Sequence, residues 1–168
     1  MSTLGLIADT PQVADAYQRA IVSNAALTSA PLVETVDGQC VHGLAQALDA
    51  KGLADHLLPA IDRLQGRGAN LVALTSVTAH LAHHLLRQRT ELPDASGGEL
   101  KATISRRDRA VFLLGSGPTM RQRFLKTPIV LSHIAVITPS SAEKDWLGDV
   151  IRYELKGGDV APETIRAF

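Results

Sequence analysis

The stretch "NLVALTSVTAHLAHHLL", Asn70–Leu86, decides how the chain is read. Leu71–Leu74 is an unbroken apolar run of strand length. Thr75, Ser76 and Thr78 follow as a turn of small hydroxyl residues. From about Val77 to Arg89 the spacing predicts a helix, which carries His80, His83 and His84. Strand, hydroxyl-rich turn and helix in that order make a βα unit. Open α/β sheets collect ligands beyond the carboxyl ends of their strands. That rule makes Ser76 and Thr78 candidate site residues.

The same alternation extends in both directions. Upstream, Leu4–Ala8 reads as a strand. Thr10 caps a helix that starts at Pro11 and runs to about Asn24. Pro31–Val36 is a strand, and "DGQCVHG" a loop. Leu44 to Leu64 has helical spacing, with a break or kink expected at Gly52 and Pro59. Gly66-Arg67-Gly68 reads as its C-cap. Downstream, Pro93, Gly97 and Gly98 punctuate a segment holding one short helix, Glu99 to Ile104. Ala110–Leu114 is a strand ending in "GSGPTM", with a helix from Pro118 to about Leu125. His133–Ile137 is a strand. Ser140 caps a helix through Leu155, with Glu143 at capping-box spacing and Gly157-Gly158 as the stop. "APETIRAF" opens one more helix. The expectation is an α/β protein with parallel sheets flanked by helices. It has a first lobe at 1–105 and an incomplete second lobe at 106–168.

Composition narrows the function. The 168 residues carry no formal net charge, which argues against nucleic-acid binding. No apolar run is long enough to span a bilayer, and the N-terminus lacks a signal-peptide pattern. The one cysteine, Cys40, excludes an internal disulfide. A cytoplasmic protein is expected. Aromatics are 4% of residues, so Leu, Val, Ile and Ala must build the core.

Four segments, in order, resemble the aspartate/glutamate racemase superfamily, the cofactor-independent two-cysteine enzymes. "GLIAD", Gly5–Asp9, is similar to the first strand. "GRGANLVALTSVTAHLAHHL" looks like the segment where the family has a strand followed by Cys-Asn-Thr-x-His. "AVFLLGSGPTM", Ala110–Met120, resembles the second lobe's first strand and its Leu-Leu-Gly-Thr-x-x-Thr-Met turn. "VITPSSAEKDWLGDVIRYELKGG", Val136–Gly158, is similar to the block that ends Ile-x-x-Glu-Leu.

The resemblance implies two α/β lobes with an active site between them. It also implies a small acidic amino acid or related carboxylate as ligand and no pyridoxal cofactor; a homo-oligomer is expected separately, because a sheet with missing strands exposes edges. In the family, one thiolate takes the α-proton and a second thiol delivers one to the opposite face. The first of these cysteines falls on Ser76, and the motif asparagine on Val77. Thr78 and His80 keep the motif threonine and histidine. Ser116 and Thr119 match the two threonines of the second-lobe turn. Asp9-Thr10 looks like the Asp-Ser pair after the first strand of glutamate racemases. Plain helix capping is the competing reading of that pair. The second cysteine belongs to a Gly-Cys-Thr-Glu motif on a later strand, which is not in this sequence. A family strand around Pro93–Asp94 is also missing. Racemase activity is therefore expected to be impaired or lost. The alternative is a non-catalytic module that dimerises through exposed sheet edges.

Other chemistries were weighed on the same residues. Ser76 as a hydrolase nucleophile would need a base such as His80, but no "GxSxG" elbow is present. His80 and His84 have the i, i+4 spacing of a zinc pair, without a glutamate or third ligand; no metal is expected. His83 and His84 are expected to face solvent. "GSGPTM" lacks the Lys-Ser/Thr ending of a phosphate loop.

Overall fold

β1, Leu4–Ala8, lies at the centre of a three-stranded parallel sheet ordered β2-β1-β3. β2 is Leu32–Thr35 and β3 is Leu71–Leu74. Gly5 pairs with Leu32 on one side and with Val72 on the other. Because all three strands are parallel, their carboxyl ends share one edge. This computed structural model describes residues 3–23, 30–91, 104, 109–155 and 160–167. The chain divides into two compact units, residues 1–95 and 96–168.

In the first unit the helices are α1 (Pro11–Ser23), α2 (Gly38–Gln46), α3 (Ala50–Gly66) and the short α4 (His83–Leu86). α3 supplies the core. Leu53, Leu57, Ile61 and Leu64 recur at three- and four-residue intervals and are all fully buried. They pack in one cluster with Val41, Val72, Leu74 and Leu86. Each such side chain contributes about 1.5–3 kcal/mol on leaving water.

The sequence reading differs from the structure in three places here. The expected loop "DGQCVHG" is mostly the first turn of α2. Asp37 caps it, accepting from the Gln39 and Cys40 amides at 2.8 and 3.4 Å. The expected break at Gly52 or Pro59 falls at Ala47–Asp49 instead. There Leu48 takes φ 60°, the Leu48 amide reaches Ala45 O and the Asp49 amide reaches Leu44 O. This is a Schellman turn. Asp49 then caps α3 through the Gly52 amide at 2.7 Å. Pro59 lies inside α3 without ending it. Third, the predicted helix from Val77 to Arg89 is a 3₁₀ turn, Thr78–Ala82, followed by α4. Gly66-Arg67-Gly68 does close α3, with Gly68 at φ 97°.

In the second unit, β4 (Ala110–Phe112) pairs in parallel with β5 (Ala135–Ile137), Phe112 opposite Ile137. The predicted helix Pro118 to Leu125 is two helices, α5 (Gly117–Arg121) and α6 (Lys126–Val130). The Lys126 ammonium ends α5 by donating to the carbonyls of Met120 and Arg121 at 2.9 and 3.1 Å. α7, Ser141–Asp149, starts with the expected Ser140–Glu143 capping box. It continues as a π-helical stretch, Val150–Leu155. α8, Pro162–Ala167, is held by Glu154, which accepts from the Ala161 amide and the Thr164 hydroxyl at 2.9 and 3.0 Å. The expected helix Glu99–Ile104, Pro93–Asp94 and the Gly157-Gly158 stop fall outside the described residues, Ile104 excepted. Among those residues, no helix is long and apolar enough to cross a membrane.

Candidate functional site

The turn after β3 is built by a backbone tie to β1. The Thr75 amide and hydroxyl both donate to Ile7 O, at 3.0 and 3.1 Å. Thr75 is buried, so its hydroxyl needs that partner. Past this clamp the chain leaves the sheet, and Ser76 is the first residue beyond it. The Ser76 hydroxyl pairs with the buried Thr78 hydroxyl at 3.1 Å. His80 Nδ1 sits 2.9 Å from the Ser76 carbonyl oxygen. A carbonyl can only accept, so Nδ1 carries the proton. His80 therefore braces the turn through its backbone. The Nδ1 contact of His80 is with the Ser76 carbonyl, while the Ser76 hydroxyl pairs with Thr78.

The histidines arrange themselves by the 3₁₀ geometry. In a 3₁₀ turn, residues i and i+3 eclipse. The His80 and His83 rings lie 5.9 Å apart, tilted by 52°. His83 is buried, against the expectation of a solvent-facing residue, and His84 is exposed as expected. His80 thus partners His83 rather than His84. Among the described residues, no three of His, Cys, Asp and Glu converge as metal ligands.

The neighbouring strand ends complete this edge. The Val36 amide donates to Ala8 O at 2.9 Å, tying the exit of β2 to that of β1. Thr10 caps α1, its hydroxyl accepting from the Val13 amide at 3.2 Å. This is the capping reading of Asp9-Thr10. Gly38, the first residue of α2, lies directly on Asp9: an added Cβ would meet Asp9 O at 2.9 Å. Gly38 was legible only as one more loop glycine, yet its missing side chain lets α2 start against the Asp9 turn. Thr75 and Tyr17 were also missed. The Tyr17 hydroxyl reaches Thr75 O at 3.5 Å.

In the second unit, Ser116 and Thr119 are brought together by α5. Their hydroxyls lie 2.9 Å apart. Thr119 is buried and packs over Gly115, where an added Cβ would stand 3.0 Å from Thr119 Cγ2. Each strand-end turn therefore carries one Ser–Thr hydroxyl pair. Two hydroxyls hold two protons, and their mutual bond uses one. Each pair keeps one hydroxyl proton that this mutual bond does not use. Cys40 is not part of either turn. Its sulfur lies 3.6 Å from His56 Nδ1, between α2 and α3.

No protein-family model matches the sequence, and no curated protein does. Solved structures do. A candidate Asp/Glu racemase from Yersinia pestis matches with a TM-score of 0.75 at 23% identity, covering 99% of this chain and 77% of that one. An aspartate racemase homologue from Pyrococcus horikoshii matches at 0.64 and 24% identity, covering 95% and 74%. The Picrophilus torridus aspartate racemase matches at 0.61 and 14% identity, covering 99% and 71%. At these identities the likeness speaks for architecture alone: the chain shares the fold of these three racemase-related structures.

Proposed function

We propose that the chain is a racemase-type scaffold that binds a small acidic amino acid or related carboxylate, with two-thiol proton transfer lost or severely impaired. The observation that carries this reading is the turn after β3. By the resemblance the family's first cysteine falls on Ser76, and the partner of its Oγ is another hydroxyl, that of Thr78. An α-proton is a very weak acid, so its base must be poised near the working pH. A thiol of pKa about 8.5 meets that need; a serine hydroxyl is a far weaker acid. Cys40, the one thiol of this sequence, lies against His56 and not at this turn.

What the turns retain is hydrogen-bonding capacity. The Ser76–Thr78 and Ser116–Thr119 pairs each offer a hydroxyl proton to a carboxylate oxygen. By the resemblance Asp9 falls on the aspartate that assists the first cysteine, while Thr10 beside it caps α1. This chemistry needs no pyridoxal group.

The test is α-proton exchange. Aspartate and glutamate are incubated with the protein in heavy water and followed by proton NMR, while binding is measured by calorimetry. Binding without loss of the α-proton signal above the buffer control is expected. Thr78→Val and Thr119→Val should each weaken binding about tenfold, the worth of one hydrogen bond to a charged group. Deuterium incorporation would show that a base is at work. Failure of both ligands to bind would remove the carboxylate reading.

A further inference from the structure

We propose that the groove between β4 and α7 in the second unit binds a small organic cation carrying an apolar tail, such as an arylalkylammonium ion. The inference does not depend on the carboxylate reading, because the groove shares no residue with either hydroxyl turn. It is an open groove of about 350 Å³, lined by Phe112, Leu114, Pro139, Glu143, Trp146 and Leu147, with Ala167 of α8 at its margin. That volume is at the lower end for small-molecule sites.

The lining follows from element geometry. The Leu113 amide continues the ladder to Ile137 O at 2.8 Å, so Phe112 and Leu114 share one side of the strand. Glu143, Trp146 and Leu147 lie at i, i+3 and i+4 of α7, which places them on one helix face. The result is an apolar trough with an aromatic ring from each wall. Phe112 remains 58% exposed and Trp146 39% exposed.

Charge selects the occupant. Among the described residues, Glu143 is the sole charged side chain in the lining, and no basic residue accompanies it. Its Oε2 accepts from the Ser140 amide at 2.8 Å in the capping box. That bond leaves the second carboxylate oxygen for a ligand. One carboxylate beside two aromatic rings is the chemistry that recognises ammonium, by charge and by the negative faces of the rings. A neutral or anionic ligand of the same shape would gain only the apolar contact.

Trp146 is the single tryptophan of the sequence, so its emission reports on the groove. The full chain is titrated at constant ionic strength with 2-phenylethylammonium and, separately, with the near-isosteric 2-phenylethanol. A saturable change in emission is expected, with the cation binding about tenfold more tightly than the alcohol. Glu143→Gln keeps an acceptor for the Ser140 amide and so keeps the helix cap. It should bring the cation down to the affinity of the alcohol while the far-ultraviolet circular dichroism is unchanged. Phe112→Ala should weaken both ligands. Equal affinity for cation and alcohol, or no saturation by either, overturns the proposal. So does an emission shift that depends on protein concentration alone and is not displaced by the cation, which would assign the groove to a second copy of the chain.

Discussion

β1 and β4 are both parallel strands followed by helices, yet they are treated differently by their surroundings. β1 has a neighbour on each side, and Leu6, Ile7 and Ala8 are fully buried. Among the described residues, β4 has one neighbour, β5. Phe112 and its register partner Ile137 are half-exposed on one face, while Val111 and Val136 are partly covered on the other. Parallel sheets are normally covered on both faces. The hydroxyl turns are indifferent to this contrast: Ser76–Thr78 and Ser116–Thr119 form equivalent pairs at 3.1 and 2.9 Å. Local turn geometry makes the candidate site, and the three-stranded core makes the stability.

The sharpest way to break that division is to empty both cores. Leu57 and Met120 are each fully buried, but only Leu57 belongs to the large cluster around α3. Leu57→Ala should cost about 3–4 kcal/mol, and Met120→Ala about 2 kcal/mol, within the range for large-to-small changes. Urea unfolding followed by circular dichroism measures both. A larger loss at Met120 than at Leu57 would reverse the assignment of stability to the first unit.

A smaller effect separates two helix ends inside that unit. α2 and α3 both finish in Schellman turns with a left-handed residue, Leu48 at φ 60° and Gly68 at φ 97°. Glycine adopts this conformation without steric cost; a leucine does not. Leu48→Gly should stabilise by about 0.5–1 kcal/mol, and Gly68→Ala should destabilise by about 1 kcal/mol or more. Thermal melts of the two variants should therefore shift in opposite directions. Leu48 is also the reason the sequence misled: with no glycine there, nothing marked the end of α2, and the break was placed at Gly52 and Pro59.

The legible parts of the chain were those written in local chemistry. Alternating apolar segments gave the βα order, Ser140 with Glu143 gave a cap, and Gly68 gave a helix end. The order of the Ser76 and Ser116 turns followed from the same alternation. Illegible were the features that need a neighbour from elsewhere in the chain. Thr75 matters because it clamps Ile7 O, sixty-eight residues away in sequence. Gly38 matters because Asp9 lies against it. His83 is buried at the end of a 3₁₀ turn, which sets its ring at a tilt beside His80. The groove of Phe112 and Trp146 joins a strand and a helix that the sequence offers only as separate elements.

The ion pairs give the finest version of the comparison. In the first unit, Glu34 accepts from Arg63 Nε at 2.7 Å and from Arg67 Nη1 at 2.9 Å, with its side chain 17% exposed. In the second, Arg121 and Asp145 pair on an open surface at 2.6 Å. The Arg63 hydrogen bond, aided by Arg67, holds the Glu34 carboxyl below the ordinary glutamate value despite opposing desolvation. A depressed carboxylate stabilises the fold above its unfolded pKa, about 4.3, and that stabilisation drains away as pH falls through the folded value. Glu34→Gln should therefore cost about 0.5–1 kcal/mol at pH 7 and less as pH falls below about 4. Asp145→Asn should change stability by less than about 0.5 kcal/mol at pH 7. Urea midpoints of the three proteins across pH 3 to 7 decide the matter. A Glu34→Gln penalty that stays constant across the acid range would mean that lost packing, not charge, is what the substitution removes.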